Sequence, residues 1–240
     1  MQGPAGPSRA DEPRGGKQRI PRPADWQPAD PTPWHVREEP VPKLSLADVR
    51  GRLADLPPPR PAPEAPADLV GSPRPSAVLL ALFEADGEAR IILTKRPETM
   101  PTHQGEIAFP GGKLDPLVDT DLRATALREA EEEIGLEPGL VEIVAELDGI
   151  GTLASRFVIA PFVGLLASRP VLTPDPREVV RVFDVPLSEL LAPGVHHAEH
   201  WPTPSSAMEL HFFDLADETV WGATARILYG FLHHLTRAIT

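Results

Sequence analysis

Residues 111–136 read GGKLDPLVDTDLRATALREAEEEIGL, and the rest of the chain is organised around them. A Gly-Gly turn leads through a polar loop into a helix predicted over Asp121–Ile134, with Thr120 or Asp121 as its cap. Gly135 is suited to end this helix in a left-handed conformation. Carboxylates crowd the last turns of the helix, at Glu129, Glu131, Glu132 and Glu133. Because like charges repel and a helix C-terminus is already partly negative, the stretch predicts a bound cation.

The helical repeat separates these carboxylates. At ~100° per residue, Glu129, Glu132 and Glu133 share one face, whereas Glu131 points elsewhere. Oxygen ligands without His or Cys favour Mg²⁺ or Mn²⁺ over zinc. Gly111-Gly112 would let the backbone approach such a site closely. A solvated acidic helix face is the alternative interpretation, and the glycines on both sides of the helix favour the metal site.

The composition limits the classes of function. The chain has 240 residues, enough for one well-buried domain of about 150 residues with additional segments. A net charge of -12 does not favour binding to nucleic acid or to an anionic membrane. The lack of cysteine excludes disulfides, thiolate metal sites and a cysteine nucleophile. Since the first residues hold no apolar secretory region and the longest apolar run is AVLLALF, we expect a soluble cytoplasmic protein.

Proline is concentrated in residues 1–75, which hold 18 of the 31 prolines, and this divides the chain. Residues 1–43 lack apolar periodicity and are expected to form a disordered or loosely docked tail. Residues 44–75 are expected to form a short helix over Ser45–Leu56, starting with a capping box, and then a Pro-rich spacer. The compact domain is predicted over residues 76–240.

Alternating apolar residues and turn signals predict a mixed α/β sandwich. Met208–Asp214 is expected to be an edge strand, and Trp221–Ile239 a closing amphipathic helix with Trp221 as a packing anchor. The HHAEH segment is expected to be a loop of surface histidines, His196, His197 and His200, because no third metal ligand is evident. The other predicted strands are Ala77–Glu84, Ala89–Arg96, Glu106–Phe109, Val141–Leu147, Phe157–Leu166 and Val179–Val185.

Residues 128–136 resemble the second half of the Nudix hydrolase box. That box reads Gly-x5-Glu-x7-Arg-Glu-U-x-Glu-Glu-x-Gly-U, with U aliphatic, and this chain reads REAEEEIGL. The first half of the box differs from this pattern. Thr120 occupies the position of the first glutamate, and Leu114 occupies the position of the first glycine. The loop is two residues longer, and Asp119 or Asp121 can replace the missing carboxylate. The resemblance implies a Nudix-like α/β/α sandwich with a mixed β-sheet.

The longer loop and an upstream segment are similar to the coenzyme A diphosphatase branch of that family. Its signature reads roughly LLTxR(S/A)x3Rx3Gx3FPGG, and residues 92–112 read ILTKRPETMPTHQGEIAFPGG. Pro97 replaces the Ser or Ala, and Pro101 replaces the second Arg. Coenzyme A carries a 3′-phosphate that needs a cationic partner. The candidates for binding the substrate are Arg96, Lys95 and Lys113.

The resemblance also implies metal-assisted hydrolysis of a diphosphate, with Mg²⁺ or alternatively Mn²⁺ as cofactor. Glu132 or Glu133 would also orient or deprotonate water, and Arg128 would pair with a ligand carboxylate and fix its rotamer. Glu178 is either a further ligand or a loop acid that pairs with nearby arginines. The expected metal ligands are Glu129, Glu132, Glu133 and the carbonyl of Gly112 or Gly111.

Three functions follow from these residues. The first is a Mg²⁺-dependent diphosphatase that converts coenzyme A or acyl-coenzyme A into 4′-phosphopantetheine products and adenosine 3′,5′-bisphosphate. The second is hydrolysis of another nucleotide, such as a sugar nucleotide, a dinucleotide or a damaged nucleoside triphosphate. The third is a catalytically silent binding module. The expected partner is a small-molecule nucleotide, with neither nucleic acid nor membrane, and the sequence leaves homo-oligomerisation open.

Overall fold

A computed structural model describes residues 14–31, 42–62, 74–100, 103–152, 157–203 and 207–237. The strands are β1 (Gln27–Pro28), β2 (Arg74–Ala85), β3 (Glu88–Lys95), β4 (Ile107–Ala108), β5 (Gly111–Lys113), β6 (Val141–Glu146), β7 (Ile150–Gly151), β8 (Phe157–Leu166), β9 (Arg181–Pro186), β10 (His196–Pro202), β11 (Ala207–Asp214) and β12 (Thr219–Trp221). The helices are α1 (Leu46–Leu53), α2 (Leu122–Ile134), α3 (Leu187–Leu190) and α4 (Gly222–Arg237). Across these ranges, no helix combines the length and apolarity needed to cross a membrane.

A mixed sheet is built on β2. A tight turn at Asp86 and Gly87, whose φ angles are 55° and 74°, joins β2 to β3 as an antiparallel hairpin. β8 runs parallel to β2 on its other side, and the strand order is β4-β3-β2-β8-β6. β9 pairs with β3 and β7 with β8. β5 pairs with the start of β2, so the Gly-Gly turn is held inside the sheet rather than in a free loop.

Helices cover both faces of this mixed sheet. Ala130 and Ile134 of α2 are buried on one face against Leu79 of β2. Phe231 of α4 is buried on the other face in the same cluster as Leu93 of β3. The α/β/α sandwich with a mixed sheet, implied by the sequence resemblance, is therefore confirmed.

A second, antiparallel sheet has the order β1-β10-β11-β12 and packs against α4. Two predictions for this region were wrong. Residues 196–200 belong to strand β10 rather than to a loop, and the side chain of His196 is buried. The predicted edge strand, β11, lies between β10 and β12. The flanking Gly and Pro residues suggested a loop, but pairing with a strand that follows later in the chain satisfies the backbone of β10.

Residues 14–31, the N-terminal segment, lie on this second sheet. β1 within the segment pairs with β10, and the Gly15 N–H donates to the carbonyl of Leu215, just after β11, at 2.7 Å. Of the two expectations for residues 1–43, a disordered or a loosely docked tail, the described part agrees with docking, whereas residues 1–13 and 32–41 lie outside the described residues. Backbone hydrogen bonds and ion pairs hold the segment in place. Neither kind of contact requires regularly spaced apolar residues, so the hydrophobic pattern of the sequence did not indicate the docking.

α1 begins with the predicted capping box. The Ser45 hydroxyl accepts from the Asp48 backbone N–H at 3.1 Å, and the Asp48 carboxylate accepts from the Ser45 N–H at 2.8 Å. Val49 and Leu53 are buried in the same cluster as the apolar face of α4. The helix therefore packs as part of the domain core, and residues 63–73 of the predicted spacer lie outside the described residues.

Candidate active site

A cleft of about 1050 Å³ is bordered by both sheets. Its volume lies just above the ~300–1,000 Å³ that is usual for small-molecule sites. One end of the cleft is polar and contains the Gly-Gly turn together with part of the acidic face of α2. The charged and glycine residues at this end are Arg96, Gly111, Gly112, Lys113, Glu129, Glu133 and Glu178.

α2 is secured at both ends, which sets the position of its glutamates. The Asp121 carboxylate accepts from the Ala124 N–H at 2.8 Å and caps the first turn. Gly135 has a φ of 67°, and its N–H donates to the Glu131 carbonyl at 2.9 Å. The helix therefore begins and ends as the sequence predicts, within one residue.

Glu133 is a buried carboxylate beside the Gly-Gly turn, with 4% of its surface exposed. Its Oε2 accepts the Gly111 N–H at 3.1 Å, and Arg96 Nη1 lies 3.9 Å from its Oε1. Burial raises the pKa of Glu133 to about 7, because loss of water disfavours the charged form, and the neighbouring carboxylates add to the rise. A carboxyl group in this environment is suited to bind a cation or to accept a proton.

Glu129 lies against the second glycine of the turn. A Cβ atom on Gly112 would come within 2.4 Å of the carboxyl carbon of Glu129, so no larger residue fits there without displacing that carboxylate. Burial raises the pKa of Glu129, and the ion pair with Arg128, 2.9 Å from Nη2 to Oε1, opposes the rise. The Gly-Gly backbone and two carboxylates therefore meet at one point of the cleft.

Arg128 joins the helix to the long loop that precedes it. Its Nε and Nη2 atoms bond to the two carboxylate oxygens of Asp119 at 2.8 and 3.0 Å, and Nη2 also donates to the Lys113 carbonyl. Asp119 accepts a further bond from the Thr125 hydroxyl. The bonds from Arg128 hold the pKa of Asp119 well below its usual range. Of the two aspartates that flank the position of the box glutamate, Asp119 therefore pairs with Arg128, while Asp121 caps the helix.

Glu132 does not line the cleft, and its role as a metal ligand and possible base stays a prediction. Its side chain is 60% exposed and pairs with Arg128 Nη1 at 2.8 Å. The residue lies at the margin of the helix face, where the arginine one turn earlier draws it outward. Glu178, by contrast, lines the cleft with Glu129 and Glu133 from the loop before β9.

The chemistry of this donor set fits a hard divalent cation. The available donors are oxygen atoms, from Glu129, Glu133, Glu178 and the Gly-Gly backbone. In the described part of the chain, no three His, Cys, Asp or Glu side chains lie close enough together to hold a metal ion. Glu178 is an exposed loop residue that lines the same cleft as Glu129 and Glu133.

Arg96 and Lys113 line the cleft, but Lys95 does not. The Lys95 ammonium group pairs with the buried carboxylate of Glu218 at 2.8 Å, because successive residues at the end of β3 point to opposite faces. The predicted role of Lys95 in substrate binding is therefore corrected to a structural one. Arg96 Nε is buried and has no hydrogen-bond partner within the described ranges, so this guanidinium retains an unused donor.

This difference predicts contrasting effects of two neighbouring substitutions. Arg96→Ala should lower kcat/KM for a diphosphate substrate by about 10–100-fold, the worth of a charge-assisted hydrogen bond. Lys95→Ala should leave kcat/KM within a few-fold of the parent and lower the free energy of unfolding by about 1–3 kcal/mol, because it removes a partner of buried Glu218. Steady-state kinetics and urea denaturation on both variants measure the contrast, and the reverse pattern would contradict the assignment.

The sequence interpretation missed an apolar surface of the cleft. Trp201, Met208, Leu210 and Trp221, here called the apolar wall, all line the cleft and are half-buried. Trp201 is paired with Met208 across β10 and β11, and Phe212 with Trp221 across β11 and β12, so these residues share one face of the second sheet. The alternation in β11 was visible in the sequence, but only the strand pairing shows which cleft this face borders.

The fold and the cleft together define a Nudix-type domain. Residues 73–213 match the NUDIX domain, and the chain belongs to the Nudix hydrolase family. The chain is 43% identical over 164 residues to Nudix hydrolase 22, chloroplastic, of Arabidopsis thaliana, which covers 65% of this chain and 53% of that one. It is 34% identical over 187 residues to the Nudix hydrolase NudL of Photorhabdus laumondii. This match covers 78% of this chain and 95% of that one.

A third relative carries a more specific name. The chain is 38% identical over 141 residues to the peroxisomal coenzyme A diphosphatase NUDT7 of Mus musculus, covering 59% of each protein. The chain spans about half the length of the Arabidopsis relative.

Proposed function

We propose that this protein is a Mg²⁺-dependent hydrolase of a diphosphate linkage. The observation that carries the proposal is that Glu129 and Glu133 lie against the Gly-Gly backbone beside the guanidinium group of Arg96, in a cleft that Glu178 also lines. Carboxylates in close array favour a divalent cation, and a guanidinium group beside them favours phosphate oxygens. A silent binding module has less support, because binding alone does not require carboxylates buried next to one another.

The residues of the chain divide the work. Arg96 and Lys113 would bind the diphosphate from the cleft wall and orient it toward the helix. Glu133, which is buried beside the Gly-Gly turn, would accept the proton of the attacking water. Arg128 would hold the Glu129 carboxylate in one rotamer, since it is itself held by Asp119.

The residues that would hold the metal are Glu129, Glu132, Glu133 and the carbonyl of Gly112 or Gly111, with Glu178 as an additional candidate. When bound, Mg²⁺ supplies positive charge that stabilises the phosphate oxygens during hydrolysis, and Mn²⁺ is the alternative metal. The small-molecule nucleotide partner and the cytoplasmic location remain predictions from the sequence.

We propose coenzyme A or acyl-coenzyme A as the substrate, giving 4′-phosphopantetheine products and adenosine 3′,5′-bisphosphate. Support comes from the upstream motif that ends in the Gly-Gly turn, from the cations Arg96 and Lys113 beside it, and from the name of the mouse relative. Pro101, which replaces an arginine of that motif, lies outside the described residues. It favours keeping hydrolysis of another nucleotide as the second candidate.

A substrate panel tests both candidates. Purified protein is incubated with coenzyme A, dephospho-coenzyme A, ADP-ribose, a dinucleotide and nucleoside triphosphates, with Mg²⁺, with Mn²⁺ or with chelator. We expect metal-dependent cleavage of coenzyme A, and slower cleavage of the dephospho form because a charged phosphate contact is lost. Faster cleavage of another nucleotide would support the second candidate, and no cleavage of any compound with either metal would refute the hydrolase proposal.

A further inference from the structure

The proposed chemistry uses only the polar end of the cleft. The apolar wall lies in the same cleft, and its four side chains remain partly exposed within the described structure. Burying this surface would be favourable for any ligand that reaches it. The question is which ligand the wall accepts.

Trp201 is held in place by a buried carboxylate. Its indole N–H donates to Glu199 Oε2 at 2.7 Å, and Glu199 is 1% exposed. Arg22 of the N-terminal segment binds the same carboxylate, at 2.9 Å from Nε to Oε2 and 2.7 Å from Nη2 to Oε1. Arg22 also packs over the rings of Trp26 and Phe212. The N-terminal segment therefore sets the orientation of one part of the apolar wall.

The N-terminal segment also contributes to the cleft directly. Pro21, next to Arg22, is one of the lining residues. Gln18 bonds to Glu218, and Gly16 bonds to Thr219, so the segment is fastened to the loop and strand before α4 as well. The cleft is thus lined by both sheets and by the docked N-terminal segment, and Glu209, His211 and Arg226 line it beside the apolar wall.

We propose that the apolar wall is a subsite for an apolar acyl chain carried by the substrate, with Arg22 as a positioning residue that orients Trp201. This inference rests on the proposed function, because the chain must be attached to a diphosphate bound at the polar end. An acyl chain fits because the wall offers two indole rings, a thioether and an isobutyl group on one face. Continuity of the cleft allows a single ligand to occupy both ends.

The test measures binding without turnover. Dissociation constants of coenzyme A and octanoyl-coenzyme A are determined by calorimetry for the full chain in chelator. The parent should bind the octanoyl compound at least about tenfold more tightly, since burying two methylene groups is worth about that factor. The double substitution Met208→Ala and Leu210→Ala should bring this ratio close to one. Val171→Ala, at a residue that is 92% exposed and outside the cleft, should leave the ratio unchanged.

The role of Arg22 has its own controls. Arg22→Ala should reduce the ratio, and Arg22→Lys should restore part of it because the charge beside Glu199 is retained. Arg19→Ala, at an exposed position of the same segment, should have no effect. Because Arg22 also packs over Trp26, fluorescence is compared in a Trp26→Phe background, where a change in Arg22→Ala but not in Arg19→Ala would support a reorientation of Trp201.

Several results would overturn the subsite. One is equal affinity of the parent for both compounds. Another is a ratio that the double substitution does not change. A third is preferential binding of a dinucleotide that depends on the wall, which would indicate a base site. Dimerisation that is lost in the double variant, without any acyl preference, would indicate an interface between two copies. If the acyl preference holds but no diphosphate is cleaved, the hydrolase proposal fails and the subsite remains.

Discussion

Glu133→Gln is expected to reduce turnover by roughly three orders of magnitude, the scale of losing a general base. Glu133 is the most deeply buried carboxylate of the cleft, and no cation of the described chain comes closer than Arg96, at 3.9 Å. Glutamine keeps the shape and can still accept the Gly111 N–H, but it lacks the negative charge that a metal ion or a proton requires. Steady-state kinetics on the best substrate of the panel measure the loss.

The same substitution should leave the fold intact or slightly stabilise it. A buried carboxylate without a close cation is unfavourable, and a neutral amide of equal size removes that cost. The thermal unfolding midpoint of Glu133→Gln should therefore equal or exceed that of the parent. Glu131→Gln, on the exposed side of the same helix, is the matched control and should change neither quantity. Turnover within a few-fold of the parent would remove Glu133 from the catalytic site.

Asp119→Ala is expected to lower the free energy of unfolding by about 3 kcal/mol, the usual cost of removing one partner of a buried ion pair. The Asp119 side chain is 1% exposed and accepts two bonds from Arg128 and one from Thr125. Its loss should also reduce turnover, because Arg128 would no longer be held where it fixes Glu129. Chemical denaturation and steady-state kinetics on the same preparation measure both effects.

Asp121→Ala is the matched control for Asp119→Ala. Asp121 only caps α2, so its loss should cost about 1 kcal/mol. The pH dependence provides a second check. Arg128 lowers the pKa of Asp119 in the folded state. The ionised Asp119 therefore stabilises the fold fully above its unfolded-state pKa of about 4, and this stabilisation is lost as the pH falls toward its folded-state pKa. The difference in unfolding free energy between parent and Asp119→Ala should therefore shrink below about pH 4. Equal destabilisation by Asp119→Ala and Asp121→Ala would contradict the assigned role.

The sequence was sufficient to predict those elements that are determined by interactions between neighbouring residues. The start of α1 follows from its capping box, and the bounds of α2 follow from Asp121 and Gly135. The Gly-Gly turn could be expected to meet the acidic helix because only glycine permits such a close approach of backbone. The alternation in β2, β3 and β8 indicated the central sheet within a few residues.

Where the outcome depended on a partner far along the chain, the sequence was not sufficient. Lys95 and Arg96 are adjacent cations of similar appearance, yet Glu218, more than a hundred residues later, binds the first and leaves the second in the cleft. In the same way, two aspartates flank the position of the missing glutamate, and only the reach of Arg128 selects Asp119.

The sequence by itself determined the Nudix-type helix, its glycine turn and the presence of carboxylates for a cation, because neighbouring residues supply these features. Tertiary structure decided that Glu132 points outward, that the N-terminal segment docks, and that β10 pairs with β11 to border the cleft with an apolar wall. The physical reason is that strand register, ion-pair choice and the face that a residue presents are settled by contacts between distant parts of the chain.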